Sequence, residues 1–173
     1  MFTGRKNGPA KVILNTLLAG SVGGLVAVFV KPKVLGTYSH VNKYDICTLC
    51  NGILVGLVSI TGVANKCENY GAFIIGFIGA LFYIGGCYIL DKFHIDDVVE
   101  ATPIHLFGGI WGLIAIAFFD IDNGIFYNGE KSGVYLVWQL LGIIAIFSWV
   151  TIISFGYFYT MKRLGKLRLS KNI

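Results

Sequence analysis

The stretch that decides the fold reads IDDVVEATPIHLFGGIWG and covers residues 95 to 112. Three acidic side chains lie in it, and one histidine, His105, stands in a segment that stays apolar or small as far as Phe119. An ionisable side chain is costly within an apolar segment that crosses a membrane, and it marks a candidate functional site. His105 is therefore the first candidate functional residue of this chain.

The composition is typical of a polytopic membrane protein. Hydrophobic residues make up 55% of the 173 residues and charged residues 13%, whereas an average soluble domain is about 25% charged. A helix crosses a bilayer with about 20 apolar residues. Apolar runs of that length cover residues 12–30, 46–64, 71–90, 98–119 and 134–161. We therefore predict an all-α fold with five transmembrane helices in a single membrane domain, followed by a basic tail at 162–173.

Glycine residues are spaced for close helix packing. The chain has 23 glycines, and two pairs, Gly52 with Gly56 and Gly108 with Gly112, have the four-residue spacing that lets helix backbones approach each other in a membrane. We predict that these four glycines lie at helix contacts. A glycine-lined path for a small substrate is the alternative.

The basic residues predict an orientation. The net charge of +5 indicates basic loops on one side of the membrane and not a nucleic-acid partner. Lys and Arg are more numerous on the side that holds loops 31–45 and 91–97 and the tail 162–173. The C-terminus is therefore predicted on the cytosolic or matrix side of the lipid bilayer.

The acidic residues before His105 have two interpretations. Asp97 and Glu100 stand where a helix begins, so they can cap its free N–H groups and favour its dipole, or they can line a pore together with His105. Pro103 kinks the helix or delays its start. His105 itself either hydrogen-bonds to a neighbouring helix or faces a pore, where a neutral imidazole can pass a proton.

The sequence predicts neither a metal or cofactor site nor an enzyme. Cys47 and Cys50 form one C-x-x-C pair, whereas a zinc ribbon needs two. The residues His94, Asp96 and His105 have no metal-ligand spacing. The sequence shows no nucleophile–base pair and no phosphate-binding loop.

Several motifs together resemble the second half of the ammonium transporter (Amt/Rh) family. The opening stretch is similar to the family segment D-D-P-x-x-x-x-x-V-H-G-x-x-G-x-x-G, which begins the tenth helix. Further matches follow in family order at Asn15–Ala19, Cys50–Thr61, Gly71–Gly76 and Leu164–Leu169. Each piece is short, but they keep their order over most of the chain.

The resemblance implies a fold of eleven helices in two inverted halves, usually trimeric, with one pore per subunit. This chain resembles helices seven to eleven, so the first pore histidine, the outer aromatic recruitment site and the phenylalanine gate belong to helices outside the match. By resemblance, His105 matches the second pore histidine, which relays a proton or holds ammonia. Asp97 matches an acid at the base of that helix.

Three positions depart from the family pattern: Val98 stands in place of its proline, Glu100 in place of an aspartate and Leu106 in place of a glycine.

Two hypotheses about the function follow. The chain, for which Met1 is a plausible independent start, is half of an ammonium/ammonia channel that a first half completes. Alternatively, it is a non-transporting accessory subunit of a larger membrane complex. The membrane is the plasma membrane or an organellar one such as the mitochondrial inner membrane.

Overall fold

A computed structural model describes residues 8–36, 44–127 and 132–167. These residues form five α-helices and contain no strand, which confirms the predicted all-α fold class. The helices are α1 (Gly8–Leu35), α2 (Ile46–Ile60), α3 (Asn69–Lys92), α4 (Gly108–Phe119) and α5 (Ser132–Arg163). A single turn of π-helix, Pro103–Phe107, leads directly into α4, and a short 3₁₀ turn, Ile125–Tyr127, follows it.

Three of these helices, α1, α3 and α5, are long and apolar enough to cross a membrane. The other two apolar helical segments, α2 and the segment Pro103–Phe119, are shorter. At 1.5 Å per residue, the 32 residues of α5 extend over about 48 Å. That length exceeds the roughly 30 Å of a bilayer's hydrocarbon core, so α5 must tilt or project beyond the core.

Helix α1 is longer than its apolar run. It continues past Val30 through Lys31 and Pro32 and ends at Leu35. The side chain of Lys31 is only 3% exposed, so it cannot be solvated as a loop lysine would be. Its helical, buried position depends on polar partners from elsewhere in the chain, which are described below.

Chain packing divides the protein into two compact units, residues 1–139 and residues 140–173. In the first unit, α1 packs against α2 and α3, and α4 packs against α2 and α3. Its buried apolar side chains form two clusters. One cluster surrounds Ile75 and Trp111, and the other surrounds Val55 and Tyr83.

Backbone atoms of α1 and α2 come close together along part of their contact. A Cβ atom on Gly56 would collide with the carbonyl oxygen of Ala19, and one on Gly52 would collide with the Cβ of Ala27. The two helix axes therefore come as close as they do only because these positions lack side chains.

Glycines also bring α4 close to α2. A Cβ on Gly108 would lie 2.5 Å from Cγ2 of Val55, and one on Gly112 would lie 3.1 Å from the carbonyl oxygen of Ser59. The start of α4 is thus held tightly against α2, and this packing fixes the position of the π-helical turn that precedes it.

The second unit contains the larger part of α5. Its side chains include many exposed apolar and aromatic groups, among them Trp149 and Phe155. Near the end of the helix, Nε and Nη2 of Arg163 donate to the hydroxyl of Tyr159 at 3.1 and 2.9 Å. An aromatic ring paired with a basic residue at a helix end is common where a helix leaves the bilayer.

Candidate functional site

His105 lies within the single π-helical turn at the start of the fourth apolar segment. Pro103 begins this turn, and its missing N–H prevents the regular helical hydrogen bond there. The N–H of Gly108 donates to the carbonyl of Pro103, five residues earlier, which is the hydrogen-bond pattern of a π-helix. Such single turns interrupt helices frequently at functional sites.

The imidazole of His105 is exposed, although Pro103 and Ile104 beside it are buried. Among the residues that the structure describes, none hydrogen-bonds to this imidazole. Leu106, the next residue, is 37% exposed. The face of the chain that carries His105 is therefore not covered by the other described residues.

Asp97 caps the helix that carries His105. Its two carboxylate oxygens accept hydrogen bonds from the backbone N–H groups of Ala101 at 3.0 Å and Thr102 at 2.7 Å. Partial burial raises the pKa of Asp97, but the hydrogen bonds from Thr102 and Ala101 outweigh this effect and hold the pKa below its usual value. Asp97 is therefore a charged N-terminal cap of the helical segment that leads into Pro103.

Glu100 adopts a left-handed backbone conformation, with φ at +56°. A residue with a Cβ atom pays about 1–2 kcal/mol for this conformation, so its surroundings must hold it there. Its N–H donates to the carbonyl of Asp97 at 3.0 Å, and its carbonyl accepts from the N–H of Ile104 at 3.2 Å. Glu100 thus reverses the chain between the loop and the His105 turn.

The carboxylate of Glu100 has partners on three helices. Oε1 accepts from the ε-ammonium of Lys31 at 2.5 Å, and Oε2 accepts from Nδ2 of Asn51 at 2.9 Å and from the hydroxyl of Tyr83. The ammonium of Lys31 also donates to the Tyr83 hydroxyl at 2.8 Å and lies 4.9 Å from the centre of its ring. We call these four residues, Lys31, Asn51, Tyr83 and Glu100, the Lys31–Glu100 cluster.

Sequence reasoning identified Glu100 but missed the other three members of this cluster. Lys31 and Glu100 are 69 positions apart, so no local pattern joins them. One sequence signal pointed to Lys31: it follows the apolar run of α1 directly, so the helix can continue through it.

Trp111 fixes α4 to α3. Its indole Nε1 donates to the backbone carbonyl of Ile75 at 3.0 Å, and its ring stacks on Phe82 at a centroid distance of 5.5 Å. The hydroxyl of Ser59 on α2 donates to the carbonyl of Gly108 at 3.4 Å. These contacts restrain the helix on the C-terminal side of His105, as Asp97 and Glu100 restrain its N-terminal side.

Asn15 is a buried polar residue that sequence reasoning treated only as part of a motif. Its Nδ2 donates to the carbonyls of Ala64 at 2.8 Å and Cys67 at 3.0 Å, which lie in the turns after α2. Its Oδ1 has no hydrogen-bond partner among the described residues. Asn15 therefore joins α1 to the connection between α2 and α3.

A second charged cluster lies at the other end of α4. Asp120 is buried, and its carboxylate accepts from the N–H of Asp122 at 2.8 Å and the hydroxyl of Tyr135 at 3.3 Å. Lys66 lies 3.6 Å from Asp120 and 3.2 Å from Asp122. The hydrogen bond to Asp122 raises the pKa of Lys66 above its usual value.

The described residues contain no group of three or more His, Cys, Asp or Glu side chains that could hold a metal ion. Cys47 and Cys50 are exposed free thiols, and Cys67 and Cys87 are buried ones.

The fold and its chemistry together define the class: an all-helical, multi-pass membrane protein with an exposed histidine at a helix interruption. A model of the Ammonium Transporter Family matches residues 2–172. The chain belongs to this family.

Two curated relatives show how similar this chain is to family members. It is 35% identical over 174 residues to "Ammonium transporter 3" of Dictyostelium discoideum, covering 93% of this chain and 38% of that protein. It is 33% identical over 181 residues to "Ammonium transporter 1 member 1" of Arabidopsis thaliana, covering 98% of this chain and 35% of that protein.

The fold resembles solved structures of the same family. The crystal structure of Candida albicans Mep2 superimposes with a TM-score of 0.82 at 25% identity, covering 96% of this chain and 38% of that one. The chain therefore spans well under half the length of the relatives that it matches. This agrees with the predicted resemblance to one part of the family fold.

Proposed function

We propose that this chain forms the second part of an ammonium/ammonia channel, with His105 as a pore histidine. The observation that carries the proposal is the exposed imidazole of His105 in the π-helical turn. An imidazole at membrane depth needs a polar partner or a water-filled path, and the described residues offer it no hydrogen bond. Relatives named as ammonium transporters support the choice of substrate.

The mechanism follows from the chemistry of ammonium. The ion sheds water and a proton at a vestibule, ammonia passes His105, and a proton is relayed separately. A neutral imidazole has one donor and one acceptor nitrogen, so it can hydrogen-bond to ammonia and also transmit a proton. Asp97 and Glu100 act at the base of the same helix, where they hold the turn that carries His105.

The pore requires more of the fold than this chain supplies. The chain covers about 38% of its Dictyostelium relative, so the rest of the channel comes from further residues of a longer polypeptide or from a separate chain. We propose that the uncovered face beside His105 meets that remaining part. From the excess of Lys and Arg in residues 31–45, 91–97 and 162–173, we propose that the C-terminus lies on the cytosolic or matrix side.

One observation favours a second function. Leu106 is 37% exposed directly beside His105, and it adds bulk where the family pattern has a glycine. A narrow pore would lose width to this side chain. The alternative is therefore a non-transporting subunit of a larger complex, in the plasma membrane or in an organellar membrane such as the mitochondrial inner membrane, with the glycine contacts kept for assembly.

The experiment that separates these functions is purification of the native protein in mild detergent, with intact-mass measurement of every stoichiometric component. A longer polypeptide, or one partner that carries the first six helices of the family fold, supports the channel. A stable assembly of unrelated subunits without those helices contradicts it and supports the accessory role.

A further inference from the structure

The Lys31–Glu100 cluster has the hydrogen-bond acceptors of a binding site for an ammonium ion, and the ε-ammonium of Lys31 occupies it. The ε-ammonium of Lys31 contacts a carboxylate oxygen of Glu100 at 2.5 Å and the phenol oxygen of Tyr83 at 2.8 Å. The Tyr83 ring lies 4.9 Å away. A carboxylate oxygen and a phenol oxygen are hydrogen-bond acceptors that stabilise a bound ammonium cation.

We propose that Glu100 and Tyr83, supported by Asn51, form an ammonium-binding site that Lys31 fills as a built-in ligand, and that loss of the lysine ammonium opens this site to free ammonium or a primary alkylammonium ion. The site is separate from the proposed pore histidine. The inference does not depend on transport, because it concerns binding to these four residues alone.

The hydrogen bonds leave the site ready for a cation when the lysine is absent. Oε2 of Glu100 accepts from Asn51 at 2.9 Å and from Tyr83, so the carboxylate stays oriented without Lys31. Its other oxygen, Oε1, has Lys31 as its donor. A carboxylate left partly buried without a counter-ion is costly, and a small cation that restores the ion pair is stabilised accordingly.

Access to the site is from the Glu100 side. The side chain of Glu100 is 28% exposed, whereas that of Lys31 is 3% exposed. A small cation can therefore reach the carboxylate from water once the tethered ammonium is gone. In the unaltered chain, the ammonium of Lys31 occupies this position, so a free cation can bind Oε1 of Glu100 there only in its place.

The size of the space left beside Glu100 depends on which residue replaces Lys31. Two substitutions of different length therefore test whether cations bind in that space. Lys31→Ala removes three methylenes and the ammonium, a fragment of the size of n-propylammonium. Lys31→Met keeps an apolar chain and removes only the ammonium end, which leaves room for ammonium itself. We therefore expect the two variants to select cations of different length.

The experiment measures the melting temperature of the full chain in detergent by tryptophan fluorescence. The protein is titrated with ammonium chloride, n-propylammonium chloride, tetramethylammonium chloride and sodium chloride at equal ionic strength. At ten times its Kd, a bound cation raises Tm by about 3–6 °C. We expect n-propylammonium to stabilise Lys31→Ala most, ammonium to stabilise Lys31→Met most, and sodium and tetramethylammonium to stabilise neither.

Two controls isolate the site. Adding Glu100→Gln to either Lys31 variant removes the carboxylate charge and should abolish the selective response. Lys33→Ala, which alters an exposed lysine on the same helix, should respond to all four salts as the unaltered chain does. If Lys31→Ala folds only when n-propylammonium is present during purification, that rescue supports the proposal.

The proposal is overturned if the four salts act equally on Lys31→Met, or if the selective response persists with Glu100→Gln. It is also overturned if neither Lys31 variant is stabilised or rescued by either amine. A chain that conducts no ammonium would contradict the proposed function and leave this binding result unchanged, so the two failures are distinguishable.

Discussion

The ε-ammonium of Lys31 lies 2.5 Å from Oε1 of Glu100 and joins the end of α1 to the residue that introduces the His105 turn. Glu100 has a positive φ of 56°, so this ion pair holds a backbone conformation that a glutamate would not adopt by preference. The position of His105 therefore depends on a lysine that is distant in sequence.

Removal of one partner of this pair should destabilise the chain more than removal of both. Glu100→Ala leaves the buried Lys31 ammonium without its counter-ion and should lower the free energy of unfolding by about 3 kcal/mol. The double variant Lys31→Met with Glu100→Ala should be more stable than Glu100→Ala alone. Denaturant unfolding of the four chains in a double-mutant cycle measures this coupling; additive effects would show that the pair is not coupled.

The glycine contact between α1 and α2 predicts a strong position dependence for added methyl groups. Gly56→Ala should lower the free energy of unfolding by about 1–3 kcal/mol, because its Cβ would collide with the carbonyl of Ala19. Gly85→Ala is the matched control, since nothing lies within 4 Å of a Cβ at that position. It should be neutral or slightly stabilising. Equal melting temperatures for the two variants would contradict the close contact.

The Asp97 cap predicts acid sensitivity at the start of the His105 helix. Because the folded pKa of Asp97 is below its usual value, its charged form stabilises the fold above about pH 4. That contribution is lost as the pH falls through the lowered pKa. Asp97→Ala should cost about 1 kcal/mol at neutral pH, whereas Asp97→Asn should keep most of the cap and lose the pH dependence.

Melting temperatures between pH 3 and pH 7 test this prediction. The difference between the unaltered chain and Asp97→Asn should change in the acid part of that range and stay constant near neutral pH. A constant difference over the whole range would show that the charge of Asp97 has no part in the cap.

The two aspartates after α4 should differ in their effects. Asp120 is 1% exposed, accepts hydrogen bonds from Asp122 and Tyr135, and lies 3.6 Å from the ammonium of Lys66. Asp120→Ala removes all three interactions from a buried position and should cost about 1–3 kcal/mol. The side chain of Asp122 is 66% exposed, and Asp122→Ala should cost less than about 1 kcal/mol. Thermal unfolding in lipid nanodiscs compares them; an equal loss from both would contradict the difference in burial.

The apolar runs predicted the helical class because each run is long enough to span a bilayer and few charges interrupt it. The His105 segment was recognisable from its acids, its histidine and its glycines, all within eighteen consecutive residues. Patterns of this kind are local, so the sequence exposes them directly.

The partners of Glu100 could not be predicted in the same way. Lys31, Asn51 and Tyr83 lie on three different helices, and their convergence depends on how those helices pack. Lys31 looked like a loop lysine because it follows an apolar run and precedes a proline. The positive φ of Glu100 has no sequence signal either, since it is a consequence of the tertiary contacts that hold its carboxylate.

The measurement that tests the proposed channel most directly is ammonium-driven current in proteoliposomes that contain the complete assembly, compared with His105→Ala. Gly85→Ala serves as the control for handling and insertion. The account predicts that His105→Ala abolishes charge-coupled ammonium transport, or its selectivity over other cations, while Gly85→Ala keeps both. Unchanged current and selectivity in a correctly assembled His105→Ala protein would contradict the role of His105 in the pore.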